Sequence, residues 1–402
     1  KKTITLSDAY DTKLTAMEVG QAGPTHVNGT GFVNNNPSNF AFPFNGITSF
    51  TQQTTRINPN LKPENTRSYE FGFDLRFLDD RVSLDYTYFN SRSKGQIFQV
   101  PLALSTGAAS EIRNAGEMSS HGHEIVLGLM PVRTDDFSWN FITNFSTLEN
   151  KVVALADGVD RIDINSGVIV AETGYDYPSI LATGYFKDPV TGLDVVLNDP
   201  TATYHGMPIM DPTPKIVAST IPDFETSFIN KLSYKNLSFS IQVDWRSGGK
   251  RFSKSFVETR VRGVGAVTLD RDDDVVLPAM KGRIEDGELI IDGTNDISIK
   301  KNVDYYYAIG RWLETEESLQ DASFIRLREV SINYDLPRSL LSNIFIKSAS
   351  IYFTGRNLFL ITDSFTDPEV NHSDGRSGNT AGIEVSQIPQ TRSIGGGIRI
   401  KF

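Results

Sequence analysis

The sequence predicts an all-β protein, a transmembrane antiparallel β-barrel wall of about ten strands with long loops gathered at one end. Three observations carry that expectation. Apolar and polar residues alternate over segments long enough to cross a membrane, the connections between segments alternate between short and long, and the final segment stops on the aromatic residue Phe402.

The alternation is plain from Arg67, where Tyr69, Phe71, Phe73, Leu75 and Phe77 take turns with Glu70, Gly72, Asp74 and Arg76. A period of two belongs to a strand with two unlike faces. It recurs in Val82, Leu84, Tyr86 and Tyr88, and in Phe137, Trp139, Phe141 and Phe145 set between Ser138, Asn140, Asn144 and Ser146. The clearest copy is Leu237, Phe239, Ile241, Val243 and Trp245 against Ser238, Ser240, Gln242, Asp244 and Arg246. Weaker copies run from Thr12 to Gly20, Ser119 to Leu129, Phe224 to Tyr234, Phe324 to Tyr334 and Lys347 to Asn357, and the last comprises Ile394, Gly396, Ile398, Ile400 and Phe402. A tilted strand needs roughly 9 to 11 residues to cross hydrocarbon, and these segments have that length, whereas strands of soluble proteins average about 5 or 6. Between Leu327 and Val330 the apolar face switches, which predicts a bulge or an altered register.

The connections supply the second line. Leu78 to Asp80, Pro131 to Asp135 and Lys235-Asn236 are short and Asp335 to Ile346 is moderate, while Ser93 to Met118, Leu148 to Asp223, Ser247 to Asp321 and Leu358 to Gln390 are long. Outer-membrane barrels place short turns in the periplasm and long loops outside the cell. With Phe402 periplasmic, every long loop falls on the extracellular side. An unpaired edge in lipid costs several kcal/mol per backbone group, so further strands are expected to complete the wall.

Composition narrows the alternatives. A net charge of -10 and a pI near 5.1 argue against nucleic acid as a partner. The absence of cysteine removes disulfides, thiolate metal sites and cysteine nucleophiles. No apolar run approaches eighteen residues, so no membrane-spanning helix is expected. The chain opens on Lys1-Lys2-Thr3-Ile4 with no secretion signal, as a mature or truncated exported chain would.

Several short motifs, weak singly and specific together, then point to a family. They are Asn58-Pro59-Asn60-Leu61-Lys62-Pro63-Glu64 ahead of Glu70 and Gly72, Asn114-Ala115-Gly116-Glu117 leading to Gly122 and Glu124, and Trp139 with Asn150-Lys151-Val152 after it. Phe324-Ile325-Arg326-Leu327-Arg328, Gly355-Arg356-Asn357-Leu358 and the terminal Phe402 complete the set. In these the chain resembles the C-terminal half of the SusC/RagA-like TonB-dependent outer-membrane transporters. The resemblance implies a 22-stranded plugged barrel, of which residues 1–402 form a C-terminal part, the plug domain and first strands lying in other residues. It further implies a TonB-energised importer of oligosaccharide or peptide, partnered by a SusD-like surface lipoprotein, and it makes Phe402 a signal for barrel assembly. No cofactor is expected.

Candidate site residues follow from the pattern. Asp74, Arg76, Asn140, Asn144, Gln242 and Asp244 occupy the polar face and are expected to line the lumen. Phe186, Tyr204, Tyr305, Tyr306, Tyr307 and Trp312 fall in long loops, where rings either stack on sugars or partners or pack loop against loop. Asp270, Asp272 and Asp274 are weak candidates for a Ca2+ site, since the loop spacing of a calcium site is missing; a solvated acidic loop is the commoner case. His121, His123 and His205 raise zinc as a reading, but His121 and His123 project alike on a strand beside Gly122 with no third ligand evident, and surface or lumen histidines are the commoner case. Gly395-Gly396-Gly397 precedes no helix and suits relief of crowding at a wall better than a phosphate cradle. Neither a nucleophile turn nor a catalytic carboxylate pair stands out, so no enzymatic activity is expected. The rival readings are a non-transporting adhesin or structural barrel, and a soluble β-sandwich lectin.

Overall fold

The computed structural model describes residues 25–26, 50–51, 55–165, 168–308, 315–342, 345–370 and 382–402. The strand expected from Thr12 to Gly20 and the aromatic Trp312 lie outside the described residues.

Nine strands follow one another as an antiparallel meander. They are β1 Asn65–Phe77, β2 Val82–Pro101, β3 Ser110–Arg133, β4 Phe137–Leu155, β5 Phe224–Tyr234, β6 Leu237–Ser247, β7 Phe324–Asp335, β8 Ser348–Ile361 and β9 Ser393–Lys401. A three-residue segment, Thr55–Ile57, joins the sheet by pairing parallel to β3. Among the described residues the sheet stays open, with β1 and β9 at its edges.

The register turns sequence alternation into two chemically distinct faces. Phe73 stands opposite Tyr86, and the row continues through Ile125, Phe145, Thr226, Trp245, Ile325 and Ile361. One residue away, the opposite face runs Asp74, Asp85, Val126, Asn144, Ser227, Asp244 and Arg326. The apolar face is left uncovered, with Tyr69 72% exposed, Phe71 67% and Ile398 67%. So broad an apolar surface is untenable in water and is what a lipid-facing wall requires. Aromatic residues gather at both ends of this face: Tyr69, Tyr88, Phe224 and Trp245 towards the long loops, and Phe77, Phe137, Tyr234, Tyr334 and Phe402 towards the short turns. Asn230, polar on the same face, accepts a 3.1 Å hydrogen bond from the Trp139 indole N–H, so its carboxamide oxygen is not left bare.

Local chemistry sets the turns and irregularities. Lys235 takes φ 51 and closes the two-residue turn between β5 and β6. Gly122 is needed because a Cβ there would sit 2.1 Å from the Thr147 carbonyl oxygen. Crowding relief at the glycine triplet holds for two of the three: a Cβ on Gly397 would meet the Tyr352 hydroxyl at 2.8 Å and one on Gly396 the Tyr352 carbonyl oxygen at 3.0 Å, whereas Gly395 has open space. The switch of face in β7 is a bulge. Against β6 the register jumps from Leu327 to Glu329 while Val243 and Gln242 are adjacent, so Arg328 is the extra residue there; against β8 the surplus is on the other strand, where Asn357 and Leu358 together oppose Arg328.

One connection differs from its expected form. Ser93 to Met118 is not a long loop: β2 and β3 continue as a paired hairpin to Pro101 and Ser110, leaving only a short crossing at residues 102–109. Alternation stops where lipid contact stops, but backbone pairing continues in water, where neither face has to be apolar. The long connections after β4, β6 and β8 fold differently again, into a cap with a core of its own. Val168, Ile169, Ile180, Ala182, Phe252 and Ile383 come from all three and are nearly or fully buried together. A second cluster joins Val100, Ala115, Met118 and Val152 at the hairpin end to Ile162 and Ala171 of the cap. The wall itself needs no such core.

Replacing Phe73 by Arg should cost about 2–4 kcal/mol, the range for a cation near the bilayer midplane, and should deplete the heat-resistant folded form on unheated gels. Asp74→Arg, one residue along and on the other face, should leave that form intact.

Candidate functional site

The polar face carries an ion network centred on the bulge in β7. Arg328, the extra residue, is re-aimed by the bulge so that its Nε donates to Asp244 Oδ2 at 2.6 Å and its Nη2 to Glu369 Oε1 at 2.6 Å. Asp244 also accepts from Ser227 Oγ at 2.6 Å and from Gln242 Nε2 at 2.9 Å. Arg326, two residues back, is buried and pairs with Asp367 at 2.5 Å and with Glu369 Oε2 at 2.6 Å. Gln390 closes the ring, its side chain reaching Glu369 and its backbone N–H reaching Asp367, each at 3.2 Å. Asn357 in β8, held at φ 51, donates to the Thr391 carbonyl and accepts from Arg328. Both ends of the last long connection are thereby fastened to the inner surface of the wall. Beside the network opens a cavity of about 510 Å³ whose lining includes Asn144, Ser227, Gln242, Asp244, Arg328 and Glu369.

A second polar knot holds the cap itself. Arg251, 1% exposed, donates to the carbonyls of Thr366 and Val370 and to the hydroxyls of Ser364 and Thr366. Burial pushes its pKa down to about 10, against the pull of Glu384 and Asp367. Glu384, fully buried, accepts from Ser253 Oγ and Ser255 Oγ at 2.6 Å each and from the Gln387 N–H at 3.1 Å. Ser253 also caps the helix Lys254–Val261, accepting from the Phe256 N–H. Burial raises the pKa of Glu384, but the hydrogen bonds from Ser253, Ser255 and Gln387 outweigh it and hold the group below its ordinary 4.5.

Of the six polar-face residues expected from the sequence, the structure brings Asn144, Gln242 and Asp244 together at the cavity. Asp74 and Arg76 pair with each other at 3.4 Å near the open edge, and Asn140 lies on the same face away from the cavity. The loop aromatics disperse. Tyr204 and Tyr307 are exposed and Phe186 is half-buried, while Tyr306 is buried, stacks edge-on against Tyr305 and donates to Asp270 at 2.8 Å. Burial and that bond raise the Tyr306 pKa to about 12. Asp270 is taken up by Lys301 and Tyr306, and Asp274 lies 3.7 Å from Lys300. Among the described residues no three acidic or imidazole groups converge as a metal site would require.

Arg326, Arg328, Asp367, Glu369 and Gln390 escape a reading by period, because three of them lie in an aperiodic loop. The break in alternation at Leu327 was the available signal, since a bulge re-aims a side chain. The short motifs acquire meaning in space as well. Asn114 ties the β2–β3 hairpin to the Lys62 segment by donating to the carbonyls of Lys62 and Gly95, Glu64 accepts from the Ile97 N–H, and Asn150 reaches the Tyr177 carbonyl. The sequence around Arg326 meets the one around Asn357 at the network.

The profile of the family described as TonB dependent receptor-like, beta-barrel, matches residues 25–276. The chain belongs to that family. It is thus a piece of an outer-membrane β-barrel, and its uncovered apolar face is lipid-facing. Among curated relatives it is 26% identical over 372 residues to TonB-dependent receptor P3 of Formosa agariphila, covering 87% of this chain and 35% of that receptor. TonB-dependent receptor SusC of Bacteroides thetaiotaomicron matches at 26% over 120 residues, 30% of this chain and 12% of SusC. Among solved structures, that of the RagAB peptide transporter superposes with a TM-score of 0.65 at 20% identity, covering 89% of this chain and 38% of that one. This receptor-family barrel piece therefore spans about a third of the length of the relatives it matches most extensively. Its likeness to SusC/RagA-like transporters, first visible in the short motifs, extends to the fold.

Two outcomes follow from the geometry. Arg326→Met leaves Asp367 buried without its partner, a change that costs about 3–5 kcal/mol; limited proteolysis should then cut within residues 362–392 while the strands stay protected. Glu384 has a folded pKa below its unfolded 4.5, so the folded chain binds fewer protons, and the stabilisation is complete above that value and lost as pH falls through the folded pKa. Acid titration followed by hydrogen exchange should open the cap below about pH 4.5, and Glu384→Gln should flatten that response.

Proposed function

We propose that this chain forms the C-terminal wall of an active importer that carries oligosaccharides or peptides across the outer membrane. The observation that supports this most directly is the cavity on the polar face, where Asn144, Gln242, Asp244, Arg328 and Glu369 present hydrogen-bonding groups on a rigid sheet beside a tethered loop. Such a surface suits a ligand rich in hydroxyl or amide groups, because an apolar solute would displace water from these polar groups without replacing its hydrogen bonds. In this reading Asp74, Arg76 and Asn140 extend the polar lining of the lumen away from the cavity.

Energy comes from a TonB system acting through a plug supplied by other residues of the same transporter, and a SusD-like surface lipoprotein covers the cap. Exposed rings such as Tyr204 and Tyr307 are placed on loops where they can stack on substrate or lipoprotein. Phe402, at the periplasmic rim and stacked 5.4 Å from Phe345, serves as the assembly signal. The family relationship and the likeness to SusC and to the RagAB peptide transporter support an import role; the substrate and partners of this chain are our reading.

Native mass spectrometry of the complex drawn from detergent-solubilised outer membranes tests it. Expected are a plug-bearing portion of the receptor, a lipoprotein and a bound glycan or peptide. A barrel that travels with neither plug nor lipoprotein would favour the adhesin reading. Asn144→Ala combined with Gln242→Ala should weaken calorimetric affinity for the recovered ligand on the order of tenfold or more, at about 1 kcal/mol per lost hydrogen bond.

A further inference from the structure

We infer that the outward face of β1 to β4, just above the aromatic rim, binds the phosphate groups of a glycolipid in the outer leaflet. The register places four cations there. Arg67 lies directly opposite Arg92, Arg92 opposite Ser119, and Ser119 opposite Lys151, with Lys94 two residues beyond Arg92 on the same face. This face is the lipid-facing one: Arg67 shares its parity with Tyr69, Phe71 and Phe73, and Arg92 with Tyr86 and Tyr88.

Height fits the same reading. Phe77 marks the periplasmic rim of β1, and Arg67 is ten residues above it, about 33 Å along a strand at about 3.3 Å per residue. At a tilt of about 40° that becomes about 25 Å of vertical rise, the thickness of the apolar band of such barrels. The cations therefore stand where headgroups begin. They also stand on an otherwise acidic chain, of net charge -10, so the patch runs against the general field.

Charge within the patch does not balance. Glu117 pairs with Arg92 and, at 3.4 Å, with Lys94, and Glu149 lies 3.8 Å from Lys151 and 3.4 Å from His121. Two carboxylates thus serve four permanent cations. Among the described residues the ion pairs leave out Arg67, which faces a second guanidinium across the ladder. Like charges directly opposite destabilise a strand pair, and an anion lying between two guanidiniums converts that repulsion into paired, charge-assisted hydrogen bonds. Phosphate on a lipid has the valence, the geometry and the depth, and its acyl chains would lie on the apolar band below. No soluble anion brings the last of these.

The test uses the whole receptor in lipid nanodiscs, with Arg67→Gln/Arg92→Gln compared with the native protein. Bound glycolipid is counted by native mass spectrometry for a phosphorylated lipid A and its enzymatically dephosphorylated form, with inorganic phosphate in a third arm. Expected is at least fivefold lower retention of the phosphorylated lipid by the variant, with no such difference for the dephosphorylated one. In lipid-free detergent the variant should melt close to the native protein, since the Arg67–Arg92 repulsion relieved offsets the half-exposed Arg92–Glu117 pair given up; this separates lost binding from lost folding. Equal retention by both proteins would overturn the proposal, as would equal retention of the dephosphorylated lipid. Stabilisation by inorganic phosphate as large as that by the lipid would also overturn it, by showing a free-anion site.

Discussion

Hydrocarbon offers peptide groups no hydrogen-bonding partner, and the whole arrangement answers to that requirement. Each N–H and C=O between the two aromatic rims must be taken up by a neighbouring strand, which forces a continuous ladder and forbids irregular backbone where lipid is in contact. The nine-strand meander meets the demand internally, and among the described residues only its edges at β1 and β9 are left open. Once pairing is fixed, side-chain chemistry follows from parity alone: one face is committed to lipid and the other becomes free to carry charge. The Arg328 network exists because a bulge in β7 sits at the polar face near the loop end, where an extra residue can be absorbed.

Much of the wall was legible from the sequence because a strand with lipid on one side and water on the other writes its two faces into alternate residues. Segments such as Phe224 to Tyr234 coincide with the strands observed, and the break after Leu327 locates the bulge. Legibility stops where that contrast stops. From Asn90 to Gln96 the strand continues with polar residues and a glycine on both faces, so the pattern vanishes although the pairing runs on to Pro101. The cap is further out of reach, since Phe252, Ile169 and Ile383 are brought together over long separations that no local period encodes.

The candidate site shows the same division. Asn144, Gln242 and Asp244 could be placed on the polar face by counting, yet what organises them is Arg328 and its partner Glu369 from a distant loop. Neither residue breaks any rule of composition. Asp270 and Asp274 make the same point from an acidic run: Asp270 is taken up by Lys301 and the Tyr306 hydroxyl and Asp274 lies beside Lys300, partners that spacing within the run does not reveal.

The shared core of the cap has a consequence for how such a protein can vary. Surface loops are usually free to change length one at a time. Here, segments after three different strands contribute to one buried cluster, and Glu384 from the last is gripped by Ser253 and Ser255 from the one before it. A change in any one of them alters the fit of the others. Variation at this surface is therefore expected to be inherited in blocks, with successful exchanges between relatives transferring all three segments together and single-loop grafts failing.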